Sequence, residues 1–233
     1  MTPGVSLRRG LLGENDRLCV IYTADLGKLS VRFMGVNRPH GKLKALSEPL
    51  VMGEYRLHTR DAPGAAKNPA FPGEALSAAP ISVLCVGGAL VTVFPLLRAD
   101  FGRLLRGLEL CEMMDRLTPF GQPNPEKFAL ISSALSELER ARTPSGAGWI
   151  CAAFALRLLR AAGFGVAQLR VSPEHRLLWE RLHSADLAEV AELPADEARL
   201  FRLESYLLRS VERVSERPMR SSRMRAQLAA ARK

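Results

Sequence analysis

The spacing of apolar residues in this chain changes near residue 95, and that change limits the folds open to it. Before this point apolar and polar residues alternate, as where Leu29, Val31 and Phe33 are separated by polar or charged neighbours. After it, apolar residues recur every three or four positions. A period of two is typical of strands with one wet face, and a period of 3.6 is typical of helices. The sequence therefore predicts one domain of strands at 1–94 and one of helices at 95–233.

Five short strands are predicted in the first part, separated by glycines and prolines. They lie at about residues 4–9, 17–23, 28–36, 49–58 and 81–86. Five strands of this length are enough to close a small barrel of the oligonucleotide-binding (OB) type. Residues 61–80 are rich in Pro, Gly and Ala, and this composition predicts a long loop before the last strand.

One uncharged stretch, residues 75–97, is about as long as a membrane span. Prolines and the pair Gly87-Gly88 interrupt it, and its Val/Ile cluster at 81–86 is typical of a strand. We therefore expect a buried strand, a turn and the start of a helix here, rather than a membrane-spanning segment.

Five helices are predicted in the second part. The first begins at Pro95 and carries the apolar stripe Leu97, Phe101, Leu104, Leu108 and Cys111. The second helix begins at Asn124-Pro125. A loop at residues 143–146 precedes the third helix, which ends at Gly163. The fourth helix begins at Ser172-Pro173, and the fifth covers about residues 195–216. The expected fold class is α+β: a five-stranded OB-fold β-barrel at the N-terminus followed by an α-helical bundle.

Positive charge is concentrated in the predicted barrel. The chain has a net charge of +9, and residues 1–60 contain ten Lys/Arg against five Asp/Glu. Such a density suits a phosphate-rich partner, although the same cations could simply solvate the wet face of a sheet. The candidate DNA-binding residues here are Arg8, Arg9, Arg32, Arg38, Lys42 and Lys44, with Arg17 nearby in sequence. Tyr22, Phe33 and Tyr55 could stack on bases if exposed, or could fill the core.

A second basic cluster lies near the end of the sequence. Residues 209–233 contain eight Lys/Arg and two Asp/Glu, and Arg220 and Arg223 are its candidate DNA-binding residues. A segment of this kind either wraps nucleic acid or is a frayed, solvated end.

No motif for catalysis is visible, so we expect no enzyme activity. The stretch from Gly35 to Lys42 superficially suggests a phosphate loop, but five residues separate its glycines and neither Ser nor Thr follows Lys42. The four cysteines are far apart and lack nearby histidines, which argues against zinc and against disulfides. We expect no metal or cofactor, and reduced core cysteines of a cytoplasmic protein.

Several short motifs, taken in order, resemble the RecO family of DNA repair proteins. In the barrel these are residues 13–18 (GENDRL), 23–29 (TADLGKL), 35–39 (GVNRP) and 46–49 (LSEP). In the helical part they are residues 110–117 (LCEMMDRL), 123–128 (PNPEKF), 154–159 (FALRLL), 163–165 (GFG) and 217–221 (RPMRS). Each motif is weak alone, but their order and spacing together are specific, and they cover nearly the whole chain.

The resemblance implies an OB-fold joined to a helical domain and a recombination mediator rather than an enzyme. A protein of this family binds single- and double-stranded DNA, anneals complementary strands and engages the C-terminal tail of single-strand-binding protein (SSB). With a RecR-like partner it helps to load a RecA-type recombinase on SSB-coated DNA. The resemblance thus implies work at the nucleoid in the cytoplasm and no contact with membranes.

This chain departs from the family pattern in two places. Many members carry a four-cysteine zinc module after the Gly-Phe-Gly helix end, whereas residues 166–186 contain no cysteine here. Some members also place a basic pair shortly before the phenylalanine that matches Phe154, where it helps to hold the acidic SSB tail. This chain has Ala152-Ala153 there, so Arg157 or Arg160 would have to supply the charge beside Phe154.

Two other functions fit the same sequence. One is an adaptor whose main role is protein–protein contact through the helical part. The other is an RNA-binding OB-fold protein, because charge and strand pattern do not distinguish RNA from DNA.

Overall fold

A closed five-stranded barrel forms the first part of the chain, as predicted. The computed structural model describes residues 1–59, 83–164 and 173–231. Its strands are β1 (Thr2–Leu12), β2 (Asp16–Thr23), β3 (Gly27–Phe33), β4 (Val51–Thr59) and β5 (Val83–Thr92). The barrel order is β1-β2-β3-β5-β4, and β4 closes on β1. All neighbours are antiparallel except β3 and β5, which pair in parallel. This is an OB-type barrel.

The alternation seen in the sequence fills the barrel interior with apolar side chains. Cys19 and Ile21 of β2 share this core with Val31 and Phe33 of β3 and Tyr55 of β4. The rings of Phe33 and Tyr55 meet edge to face with centroids 6.4 Å apart. All three candidate stacking aromatics, Tyr22 among them, are 0% exposed. The core interpretation of these aromatics is confirmed, and base stacking on them as exposed rings is wrong.

The last strand runs further than its sequence suggested. We expected a turn after residue 86, but β5 continues to Thr92, with Gly87 opposite Arg56 and Gly88 opposite Tyr55. A β carbon at Gly88 would lie 2.4 Å from the carbonyl oxygen of Glu54, so only glycine allows the two strands to approach this closely. The glycines therefore continue the strand instead of ending it.

The second part is helical in the described residues. Its helices are α1 (Pro95–Ala99), α2 (Phe101–Leu117), α3 (Pro125–Arg140), α4 (Pro144–Ala161), α5 (Pro173–Ser184), α6 (Leu187–Ala191), α7 (Glu197–Ser215) and α8 (Arg220–Ala231). Helix α4 is buried nearly all round and packs against α2, α5, α6 and α7. In the ranges that the structure describes, no helix is both long enough and apolar enough to span a membrane.

The start of the helical part differs from the prediction. Asp100 is extended and separates α1 from α2, and its side chain accepts a hydrogen bond from the Arg103 N–H at 2.8 Å. This break changes the phase of the helix, so Phe101, predicted in the buried stripe, is 47% exposed. The buried side of α2 instead carries Leu105, Leu110, Cys111, Met113, Met114 and Leu117.

Other helix boundaries follow their caps. Asn124 accepts a hydrogen bond from the Lys127 N–H at 2.9 Å, which confirms the predicted start of α3. Thr143 caps α4 in the same way through Gly146 at 3.0 Å, so the predicted loop at 143–146 is instead the first turn of that helix. Gly163 has φ +85° beyond the end of α4, as a left-handed C-cap requires.

Contacts between Cα atoms divide the chain into two compact units. Residues 118–128 belong with 1–93 in the first, and 94–117 belong with 129–233 in the second. The predicted boundary between 94 and 95 did not include the return of 118–128 to the barrel unit. The predicted loop at 61–80 lies outside the described residues.

The four cysteines are all free and buried. Burial raises the pKa of the Cys19 thiol to about 12, that of Cys85 to about 11 and that of Cys151 to about 12. These three thiols are therefore protonated, apolar members of the core at neutral pH.

Candidate nucleic-acid interface

The loop between β3 and β4, residues 34–50, carries most of the free positive charge of the barrel; we call it the basic loop. Three successive turns build its first half, with the N–H groups of Arg38, Gly41 and Lys44 bonded to carbonyls three residues earlier. A short 3-10 helix, Ala45–Ser47, follows. The loop is thus compact and hydrogen-bonded through its own backbone.

A buried arginine ties this loop to the barrel. Arg17, at the start of β2, is 5% exposed. Its guanidinium donates to Asn37 at 2.8 Å, to the Ser47 hydroxyl at 2.9 Å and to Glu48 at 2.6 Å. Arg9 holds the other carboxylate oxygen of Glu48 at 3.2 Å. Charged groups are buried in proteins when hydrogen bonds and an opposite charge compensate for lost hydration, as here.

Apolar and thiol contacts hold the loop from beneath. Val36 and Leu46 are 1% and 4% exposed and belong to the barrel core. The Tyr55 hydroxyl donates to the Leu46 carbonyl, and the Cys19 thiol donates to the Ser47 carbonyl, each at 3.3 Å. The basic loop is therefore fastened on both sides of the residues that carry its exposed charge.

The cations predicted in the barrel differ in exposure and in pairing. Arg38, Lys42 and Lys44 are exposed and have no ion pair within the described part of the chain. Arg9 is paired with Glu48, and Arg32 with Asp16 at 2.5 Å. Arg8 is half-buried at a bulge of β1. The charge available to a ligand is therefore greatest on the basic loop.

The partner of Arg32 also has a structural role. Burial alone would raise the pKa of Asp16, but the Gly35 N–H at 2.8 Å and the Arg32 guanidinium outweigh it and hold that pKa below its ordinary value. Asp16 is thus ionised at neutral pH and fixes the first residues of the basic loop. Arg32 faces a full negative charge, which reduces its attraction for phosphate.

The outer side of β2 and β3, the surface on which OB folds usually bind their ligands, is largely buried in this chain, and Leu18, Val20 and Tyr22 of β2 are 0% exposed. Residues 120–122 of the same unit lie against the first residues of β3. Lys28 is 5% exposed, and its ammonium lies 4.4 Å from the centre of the Phe120 ring. A β carbon at Gly27 would be 2.3 Å from the Gln122 carbonyl oxygen. This side of the barrel therefore offers a ligand little exposed surface.

The second basic cluster is helical rather than frayed. Arg220 and Arg223 are exposed on α8. Glu112 of α2 caps this helix by accepting the N–H groups of Arg220 and Ser221, each at 2.9 Å. Burial alone would raise the pKa of Glu112, but these bonds and the Arg116 guanidinium outweigh it and lower that pKa.

The predicted SSB-tail residues have different surroundings. Phe154 is 0% exposed inside the helical unit. The Arg157 guanidinium donates to the carbonyls of Leu182, at 2.8 Å, and Ala185. Arg160 is exposed. Burial lowers the pKa of His183, and the charges of Arg160 and Arg157 lower it further, which indicates a positive potential at this point.

Sequence reasoning missed the role of Arg17, although a signal was present. Residues 17, 19 and 21 share one side of β2, and Cys19 and Ile21 belong to the core. An arginine in phase with two core positions must be compensated from elsewhere in the fold. No local pattern indicated that residues 120–122 return to the start of β3, because that contact joins distant parts of the chain.

Comparison with known proteins gives a consistent result. The family model "Recombination protein O N terminal" matches residues 1–64, and "Recombination protein O C terminal" matches residues 98–168. The DNA repair protein RecO of Bacillus subtilis (strain 168) is 23% identical over 141 residues, which are 60% of this chain and 48% of that protein. The DNA repair protein RecO of Desulfitobacterium hafniense (strain DSM 10664 / DCB-2) is 28% identical over 127 residues, 54% of this chain and 40% of that protein.

A longer alignment joins the chain to the DNA repair protein RecO of Clostridium perfringens (strain 13 / Type A). The two are 27% identical over 164 residues, 70% of this chain and 58% of that protein. The chain thus spans about half the length of the curated relatives it matches.

Replacing Arg17 tests the anchor of the basic loop. Arg17→Met keeps an aliphatic stem but leaves buried acceptors unpaired, so we expect a loss of unfolding free energy on the order of 3 kcal/mol. Arg9→Met, which removes the more exposed partner of the same carboxylate, should cost under about 1 kcal/mol. Urea denaturation of both variants makes the comparison, and equal losses would contradict the anchoring role.

The cap of α8 makes stability depend on pH. A carboxyl whose folded pKa is lowered stabilises the fold fully above its unfolded value, 4.5 for Glu112, and this stabilisation disappears as pH falls through the folded value. Glu112→Gln should therefore cost about 1 kcal/mol at neutral pH and progressively less in acid. Urea denaturation at several pH values measures this, and a difference that stays constant from neutral pH into acid would exclude Glu112 as the ionised cap.

Proposed function

The chain belongs to the RecO family, and on that premise we propose that it is a DNA-binding mediator of recombinational DNA repair. In this proposal it binds single- and double-stranded DNA, anneals complementary strands and helps to load a RecA-type recombinase on SSB-coated DNA with a RecR-like partner. It works at the nucleoid in the cytoplasm, and by binding rather than by breaking bonds.

The observation that supports this proposal most strongly is the anchored basic loop. Arg38, Lys42 and Lys44 project from a segment that Arg17 and the barrel core hold in place. A loop ordered before binding loses less conformational entropy when it meets its ligand. The exposed cations suit phosphate contacts, which position a strand without reading its sequence. Such binding is what a mediator that acts on any strand requires.

Annealing follows from the same charges. Two strands repel each other through their phosphates, and a surface that neutralises part of this charge allows them to approach. The aromatic side chains of β2, β3 and β4 are buried, so the bases of a bound strand are left free to pair. We therefore propose that the basic loop holds the backbone of one strand while its bases remain available.

For the acidic SSB tail we propose Arg160 as the contact. Phe154 is buried and Arg157 already donates to two backbone carbonyls, so Arg160 is the predicted residue whose charge is free to meet a carboxylate. Arg160→Glu should weaken binding of an SSB tail peptide about tenfold without changing DNA affinity. Isothermal titration with the peptide measures this, and an unchanged affinity would exclude Arg160.

Charge reversal on the basic loop tests the DNA-binding assignment. In the variant Arg38→Glu, Lys42→Glu, Lys44→Glu, we expect at least about tenfold weaker oligonucleotide binding and a salt slope reduced by about 2, since each lost phosphate contact on a single strand removes about 0.7. Fluorescence anisotropy across a salt series measures both quantities.

The matched control makes the same change in charge elsewhere. Arg142, Arg176 and Arg181 are exposed in the helical unit, and their reversal to Glu should alter binding far less. Because all six side chains are exposed, stability should change little in either variant. If the loop variant bound oligonucleotides at low salt as tightly as the unchanged chain, the loop would not be the DNA site.

A further inference from the structure

The outer face of α7 is a stripe of arginines that neither the barrel nor the cap of α8 explains. At 100° per residue, Arg199, Arg202, Tyr206, Arg209 and Arg213 fall within an arc of about 80°. Arg202, Arg209 and Arg213 are exposed, and Tyr206 is half-buried. We call these five residues the α7 stripe.

Packing does not select these residues. The buried side of α7 carries Leu200, Leu207 and Val211, which face the core of the helical unit. Arg202, Arg209 and Arg213 lie on the exposed side of the helix, where any polar residue would satisfy the fold, and the half-buried Arg199 and Tyr206 lie nearer its buried side. A solvated helix face usually mixes both signs of charge, with acids three or four residues from bases.

The acids of α7 are mostly engaged elsewhere. Glu204 faces inward and binds Arg106 at 2.5 Å. Glu212 accepts the Met219 N–H at 2.7 Å. Glu216, in the left-handed conformation at the end of the helix, is the exposed acid nearest to Arg213 in sequence. The helix therefore offers its arginines little compensation along the α7 stripe.

Within the described part of the chain, only Arg199 of the α7 stripe has an ion pair, with Asp196 at 3.5 Å. Arg202, Arg209 and Arg213 have none there. Arg209 and Arg213 are four residues apart, a spacing at which like charges destabilise a helix. Like charges kept together at a cost to the helix indicate an anionic ligand.

We propose that the α7 stripe is a second phosphate-binding surface, which holds the backbone of a nucleic-acid strand. From Arg202 to Arg213 the helix rises about 16 Å, enough to follow several phosphates of one strand. Arginine suits this role because its planar fork binds phosphate oxygens in pairs. Tyr206, between the arginines, adds a hydroxyl donor and an aromatic face.

This inference rests on the proposed function, in which the basic loop holds one DNA strand. The α7 stripe would hold the second strand, which pairs with the first. A mediator that anneals two strands benefits from a site for each. The α7 stripe lies on a single helix of the second unit, so its spacing depends only on helix geometry.

The test uses the full chain and short oligonucleotides of about twelve nucleotides, so that one strand does not fill two sites. The first variant is Arg202→Gln, Arg209→Gln, Arg213→Gln, and the second is Arg202→Lys, Arg209→Lys, Arg213→Lys. The matched control is Arg142→Gln, Arg176→Gln, Arg181→Gln, which removes the same charge from other exposed positions of the helical unit. Titration at low salt measures bound strands per chain, and a complementary pair measures the annealing rate.

We expect the unchanged chain and the control to bind two strands, and the glutamine variant to bind one and to anneal at least about tenfold more slowly. The lysine variant should recover most of the second binding event, because it keeps the charge. A glutamine variant that still binds two strands would overturn the proposal. The proposal would also be overturned if polyglutamate displaced the second strand as effectively as an unlabelled oligonucleotide does.

The loop variant distinguishes this proposal from the DNA-binding assignment. If the Glu variant of Arg38, Lys42 and Lys44 loses one strand while the glutamine variant keeps both, the loop assignment stands and the α7 stripe is excluded. If the loop variant keeps both strands and the glutamine variant loses one, the α7 stripe stands and the loop assignment fails.

Discussion

The geometry of the basic loop depends on the buried guanidinium of Arg17. It reaches Asn37, Ser47 and Glu48, which are 20 to 31 residues away in sequence, and so joins both ends of the loop to β2. Removing such a group would leave several buried acceptors without a donor, which is far costlier than losing an exposed ion pair. A single buried charge therefore fixes the loop that carries the exposed charges proposed to bind DNA.

Cations that look alike in the sequence have different roles in the fold. Arg17 is an anchor, and Arg32 neutralises Asp16, whereas Arg38, Lys42 and Lys44 project into solvent. The usual OB ligand surface on β2 and β3 is largely buried, with the Phe120 ring against Lys28 at one end. The exposed, unpaired charge of the described barrel is therefore greatest on the loop that follows β3.

Local patterns predicted most of the fold, and long-range contacts account for the misses. Alternation located the strands, and Asn124 and Gly163 marked helix ends, because these signals act within a few residues. The extension of β5 through Gly88 depends on the close approach of β4. The helical order of α8 depends on Glu112, which lies 108 residues earlier in the sequence than Arg220, the first residue whose N–H it accepts. The candidate DNA-binding residues were predicted from their charge alone, and charge does not distinguish a buried arginine such as Arg17 from an exposed one such as Arg38.

The most direct test of this account is the oligonucleotide affinity of Arg17→Met, measured at a urea concentration and temperature where the variant stays folded. Arg17 is too deeply buried to touch DNA, so a weaker affinity means that it acts by holding the basic loop. We predict a loss of at least about threefold, with little further loss when Arg17→Met is added to the loop charge reversals, because residues that act through one another are not additive. An affinity equal to that of the unchanged chain would contradict the account.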